Sequence, residues 1–122
     1  MNDRELLQLA ARAAGYQFSY SYRSLSSPAV PVVLAETGRW RQWDPRHDDG
    51  DALRLAVKRG LVVTSDRENQ RTLVSNQAGH EYCAIYWDKL GEMAATRLAI
   101  TEAAAEIGRR NQVTQPGATS SP

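Results

Sequence analysis

Cysteine is almost missing from this chain: Cys83 is the only one in 122 residues. No intramolecular disulfide can form, which excludes a disulfide framework and fits a reducing compartment such as a cytosol. Long apolar runs are also lacking; none approaches the roughly 20 residues that a membrane-spanning helix needs. Met1 is followed by Asn2, Asp3, Arg4 and Glu5 with no apolar stretch behind them, so no signal peptide is expected. An excess of one charge sign is missing too. With 15 Lys+Arg against 14 Asp+Glu the formal net charge is +1, short of the unopposed basic side chains on which nucleic-acid affinity rests. Lysine is scarce, at Lys58 and Lys89 only. The resulting arginine bias is better explained by a GC-rich genome than by anion recognition, although arginine does suit phosphate and carboxylate. The glycines at 50, 60, 79 and 91 stand alone, so neither a phosphate loop nor a nucleophile elbow is present.

What is present describes one folded domain over residues 1–110. A composition of 42% hydrophobic and 24% charged residues belongs to a chain that can bury a core without staples. Asn2 or Asp3 can cap a first helix whose Leu6, Leu9, Ala10 and Ala13 fall at i, i+3, i+4 and i+7, with Gly15 past its end. A second helix is capped by Asp48 or Asp49, with Asp51 in its first turn, where the helix dipole favours a carboxylate. Leu53, Ala56 and Val57 form its apolar stripe, Lys58 and Arg59 its last turn, and Gly60 its stop. Asp88 can cap a third helix running to about Gly108. Its stripe is Met93, Ile100, Ala103, Ala104 and Ile107, widened by Ala94 and Leu98. The alanine-rich centre predicts close approach to a neighbouring helix.

Between the helices the period changes to two. Tyr16, Phe18, Tyr20 and Tyr22 alternate with Gln17, Ser19 and Ser21, which predicts a strand with one buried face. A loop follows from Ser24 to Pro28. Ala29–Ala35 reads as extended, and Pro31 points to an edge strand because proline cannot donate to a ladder. Glu36-Thr37-Gly38 turns into a returning strand that carries Trp40 and Trp43. Leu61–Thr64, Thr72–Ser75 and Glu81–Trp87, joined by short polar turns, predict an antiparallel meander. Three amphipathic helices and these strands give an α+β fold, a layered α/β/α sandwich over a mostly antiparallel sheet. From Asn111 the run QVTQPGATSSP has no periodicity, and residues 111–122 are expected to be a disordered tail.

Trp43-Asp44-Pro45, followed by Asp48-Asp49-Gly50-Asp51-Ala52-Leu53-Arg54-Leu55-Ala56-Val57, resembles the signature of the phage ABA sandwich domain. Glu5-Leu6-Leu7 with Ala10–Gly15 is similar to the opening of that family, and Ala94–Arg97 with Ala99-Ile100 and Ala103–Gly108 to its last helix. The departure is Pro45-Arg46-His47, where the family pattern calls for an uncharged, more apolar stretch. The resemblance implies a layered helix and sheet fold in a small phage or prophage protein of the host cytosol. It brings no general activity and no catalytic residue set.

Four groups of residues could carry chemistry. Asp44, Asp48, Asp49 and Asp51 are dense enough for a hard cation and hence for a small metal-dependent enzyme at the acidic loop 44–51. They do not fit a calcium loop: counting from Asp44, position three is Arg46, six is Asp49 and twelve is Leu55. Helix capping accounts for them better. His80-x-x-Cys83, with His47 distant, falls short of the four ligands of a structural zinc site. Cys83, a histidine and an aspartate could be written down as a hydrolase triad, but residues three apart on a strand face opposite ways, and Cys83 reads better as a small core residue. The sharpest surface prospect is Arg39, Trp40 and Arg41, since tryptophan and arginine dominate protein-binding hot spots. The wider Arg/Trp segment 39–46 could alternatively stack on single-stranded bases. Trp43 is expected in the core. The reading that results is an accessory protein that binds a host or phage protein, with no cofactor, no membrane contact and a nucleic acid as the lesser alternative.

Overall fold

A computed structural model describes residues 1–21 and 29–114. The described residues form three helices, α1 (Asp3–Ala13), α2 (Asp49–Arg59) and α3 (Glu92–Thr114). The strands are β1 (Phe18–Ser21), β2 (Val30–Leu34), β3 (Trp40–Gln42), β4 (Val62–Asp66), β5 (Arg71–Ser75) and β6 (Glu81–Tyr86). The fold is α+β and every strand pair is antiparallel. Instead of one continuous sheet there are two of three strands, ordered β1-β2-β3 and β4-β5-β6. Tyr22 and the loop expected over Ser24–Pro28 lie outside the described residues, as do residues 115–122. Helix α3 continues to Thr114, so residues 111–114, expected in a disordered tail, belong to the helix.

Helix ends follow local chemistry closely. The Asn2 side chain accepts a hydrogen bond from the Glu5 N–H at 2.8 Å, satisfying a donor that the first turn would otherwise leave unpaired. At the other end Gly15 takes φ 77°. Its N–H bonds the Arg12 carbonyl while the Tyr16 N–H reaches back to Ala11, the paired closure that a left-handed residue makes possible. Asp48 caps α2 through the Asp51 N–H at 2.8 Å. Asp88, by contrast, is not a cap: it lies in the turn where the Gly91 N–H bonds the Trp87 carbonyl, and α3 begins only at Glu92.

Helix α3 is the element on which the others assemble; it packs along α1, touches α2 and covers β5 and β6. The seam with α1 is made of small side chains: Ala10, Ala11, Ala13 and Ala14 on one side, Ala99, Ala103 and Ala104 on the other. At Gly108 the two backbones come so close that an added Cβ would lie 2.0 Å from the Leu9 carbonyl oxygen. Met93, assigned to the apolar stripe of α3, is instead 55% exposed, because the buried face starts at Ala95. On α1 the stripe centres on Leu7, Ala10 and Ala11, with Leu6 and Leu9 only partly buried.

Two further expectations are overturned. Pro31 lies in β2, which is the central strand of its sheet, not an edge. The strand tolerates it because its bonding side faces the chain just beyond β3, where its carbonyl accepts the Trp43 N–H at 3.0 Å. The donor it lacks would therefore pair past the end of β3. On α2 the buried residues are Asp51, Ala52, Leu55 and Ala56, whereas Leu53 and Val57 are 63% and 72% exposed. Ala52 and Ala56 allow the approach to α3, and Asp51, pinned by polar partners, sets the helix rotation.

One buried polar link has no counterpart in the sequence reading. The Trp87 indole N–H donates to Thr72 Oγ1 at 2.8 Å, and Thr72 Oγ1 lies 2.7 Å from Thr96 Oγ1. The pair joins β5 to α3 while satisfying a tryptophan donor that burial would otherwise penalise.

Candidate partner-binding surface

The acidic candidates lie in the loop from β3 to α2 (Asp44, Asp48) and in the first turn of α2 (Asp49, Asp51). Trp43 is 1% exposed, edge-on to Tyr16 at 5.8 Å and to Phe18 at 6.2 Å between ring centroids. This anchors the loop in the core, as expected. Directly after it, Asp44 accepts from the Arg46 backbone N–H, from Arg46 Nε at 3.0 Å and from Arg46 Nη2, and lies 2.9 Å from His47 Nδ1. Burial presses the Asp44 carboxyl upward, but the hydrogen bonds from Arg46 and His47 outweigh it and hold its pKa below the usual carboxylate range. Its contribution to stability is thus present above the ordinary carboxylate pKa and is lost as pH falls through the lowered one.

Each remaining aspartate has its own task. Asp51 is buried; Oδ1 takes Arg54 Nη2 at 2.8 Å and Arg41 Nη1 at 3.2 Å, while Oδ2 accepts the Asp44 N–H at 3.0 Å. Asp48 caps α2. Asp49 pairs with Arg97 Nη1 at 2.7 Å, and the same arginine donates through Nε to the Arg46 carbonyl, tying the loop to α3. Among the described residues no three His, Cys, Asp or Glu side chains converge as a metal site would require. The acidic run is a set of caps and arginine clamps.

Cys83 and His80 are not assembled for nucleophilic chemistry. The Cys83 thiol lies 4.0 Å from Glu102 Oε1, and His80 instead packs edge-on against Tyr82 with Arg110 3.4 Å from its Nε2. Burial, with help from Glu102 and Glu81, pushes the Cys83 thiol up to about 12. Iodoacetamide should therefore alkylate Cys83 in the folded protein at neutral pH about two orders of magnitude more slowly than an unperturbed thiol. The rate should recover in guanidinium, which mass spectrometry of quenched samples would follow. Equal rates in both conditions would contradict this environment for the thiol.

The Arg39-Trp40-Arg41 group divides between two faces. In β3, alternation sends Arg41 toward α2, where Asp51 holds it, and Trp40 to the other side. Trp40 pairs across the sheet with Leu34 and is 49% exposed; Arg39 precedes the strand and is exposed. The three residues do not form one contiguous hot spot, and Arg41 serves the fold.

The sequence reading missed a second surface. A groove of about 690 Å³ runs between α2 and the β2–β3 hairpin, with Leu53, Val57, Val33 and Leu34 among its apolar lining. Arg41, Arg54 and Lys58 line it as well, against Glu36. A signal for it exists in the sequence: Leu53 and Val57 are four apart, and so are Arg54 and Lys58, which sets an apolar and a basic row side by side on one helix.

No protein-family model matches the chain, and no curated protein or solved structure matches it significantly. Among the described residues no helix is long and apolar enough to cross a membrane.

Proposed function

We propose that this chain is an accessory protein of phage or prophage origin that acts in the host cytosol by binding a host or phage protein. The phage reading comes from the resemblance of the Trp43–Val57 block and the alanine-rich helices to the ABA sandwich domain. The binding reading is carried by one observation, the half-exposed Trp40 lying against Leu34 on an outer sheet face. A half-exposed tryptophan on a strand offers a large, rigid aromatic surface, and tryptophan concentrates binding energy where a partner covers it. Asp44, Asp49 and Asp51 are engaged by arginines, Asp48 caps a helix and the Cys83 thiol is kept protonated, which supports a non-catalytic role. The arginines of segment 39–46 speak against single-strand stacking, since Arg41 and Arg46 are committed to Asp51 and to Asp44 and Asp3.

The test is an affinity capture from bacterial lysate with wild type and Trp40→Ala as baits, after circular dichroism has established equal folding. Trp40 is preferred over any change at Arg41, whose loss would leave Asp51 short of a partner. A protein retained by the wild type should fall on the order of tenfold on the variant. Indistinguishable capture by the two baits would remove Trp40 as the contact.

A further inference from the structure

We infer that two copies of this chain associate through the open edge of β4, in an antiparallel β4–β4 ladder centred on Thr64 that joins their β4-β5-β6 sheets into one. The inference goes beyond the binding role proposed above and does not rest on it.

Backbone direction decides what that edge offers. The Trp87 N–H bonds the Gln70 carbonyl and the Asn76 N–H bonds the His80 carbonyl, each at 2.9 Å. The even-numbered residues of β5 therefore address β6, and by alternation Arg71, Leu73 and Ser75 address β4. Their partners there are Asp66, Thr64 and Val62. Val63 and Ser65 are left with their N–H and C=O groups turned away from β5, along the free edge of the sheet. Among the described residues nothing else bonds these groups. An uncovered strand edge is a template for another strand, and folded proteins blunt such edges with proline, lysine or a bulge. Strand β6 has the bulge, since Val74 faces Cys83 while Ser75 faces Glu81. Strand β4, Val62–Asp66, keeps an unbroken register and has none of the three.

The occupant follows from the symmetry of this edge. Pairing β4 with itself about Thr64 sets Val63 against Ser65 of the second copy, and Ser65 against its Val63. Those are the residues with open main-chain groups, so each juxtaposition exchanges two N–H···O bonds and every open group is used. Thr64, exposed on the outer face, meets its own counterpart as a closely spaced pair, a position in which threonine hydroxyls bond across strands. Asp66 falls opposite Val62, and its charge is already answered by Arg71 and Asn69. Charge agrees with the same register. Antiparallel pairing carries the β4–β5 turn of one copy toward the last turn of α2 in the other. Glu68 lies in that turn and Arg59 in that helix end, both exposed and neither in an ion pair among the described residues. Arg67, beside Glu68, is engaged by Glu92 and the Trp87 ring. A foreign strand could fill the ladder, but only a second copy brings this match to both of its ends.

The experiment is sedimentation equilibrium of the full chain from about 10 μM to about 1 mM, because so short a ladder belongs to the small, weak class of interfaces. The wild type should move from the 13.5 kDa monomer toward twice that mass, with a dissociation constant on the order of a few hundred micromolar. Ser65→Pro removes an outward N–H and none of the bonds to β5. Thr64→Lys sets like charges against each other at the centre of the ladder. Both variants should keep the monomer mass throughout. In the wild type, amide exchange should slow with concentration at Val63 and Ser65, and not at Val62 or Thr64, whose N–H groups already bond β5. A wild type that stays monomeric at about 1 mM overturns the inference. So does association that Thr64→Lys leaves intact, or slowed exchange centred on Trp40 or Leu53, since either would assign the contact to another surface. If Ser65→Pro fails to fold by circular dichroism, Thr64→Lys decides. Loss of this dimer would leave Trp40-dependent capture standing, so the two proposals fail separately.

Discussion

Gly108→Ala is expected to destabilise the protein by about 3 kcal/mol or more, although helix propensity taken alone predicts a gain of about 1 kcal/mol for the same change. The opposite signs make the experiment decisive. An ideal Cβ at position 108 would lie 2.0 Å from the Leu9 carbonyl oxygen and 2.9 Å from its carbonyl carbon. Both atoms belong to the backbone of α1, so no side chain can swing aside. The two helices must separate, and the alanine contacts along the whole seam loosen with them. For a domain of this size the midpoint of thermal unfolding should fall by about 10 °C or more. Arg109→Ala, one position on and exposed, is the control and should stay within about 0.5 kcal/mol. A stabilised Gly108→Ala variant would mean that the helices do not cross this closely in solution.

The second large effect belongs to Trp43→Ala, for which a loss of about 3–5 kcal/mol is expected. Trp43 is almost fully buried, meets Tyr16 and Phe18 edge-on, and donates its backbone N–H to the Pro31 carbonyl. Removing the ring would open a cavity where β1, β2 and the loop into α2 meet, and the rigid aromatic neighbours can close it only in part. The loop it anchors also places Asp44 and, through the Asp44 N–H, Asp51. Besides the lower unfolding midpoint in urea, the variant should show weakened protection from amide exchange at Asp44 and along the first turn of α2. Unchanged exchange there, alongside a large loss of stability, would separate the packing of the ring from the ordering of the loop.

Much of this fold was legible because local chemistry decided it. The Asp48 cap, the Gly15 and Gly60 stops, the alternation in β1 and the meander from Val62 to Tyr86 all follow from neighbours in sequence. The burial of Trp43 and the close helix approach read from the alanines were legible as well. Where the reading failed, a distant contact had the deciding vote. Helical periodicity in α2 permits two adjacent stripes, and the choice between Ala52/Leu55/Ala56 and Leu53/Ala56/Val57 falls to α3 and to the Asp51 clamp. Pro31 looked like an edge residue because one-dimensional spacing does not show which partner its missing donor would face. The surface group Arg39-Trp40-Arg41 was read as a unit from proximity along the chain, while strand alternation sends Trp40 and Arg41 to opposite sides. The groove escaped notice for the converse reason: its walls come from α2 and from a hairpin some 20 residues earlier, and each wall is ordinary until the two are set side by side.

The seam between α1 and α3 also shapes how the protein comes to be. Leu9 and Gly108 are separated by roughly a hundred residues, so this close backbone approach is a highly non-local contact, of the kind that slows folding. On the ribosome, at about 5–20 residues per second, the first helix waits several seconds or longer for its mate. During that interval it presents a face of Leu7, Ala10, Ala11 and Ala13, mostly methyl groups with little grip on passing hydrophobic surfaces. A seam of leucines would hold more firmly once closed, but it would leave a far stickier nascent chain while it stood open.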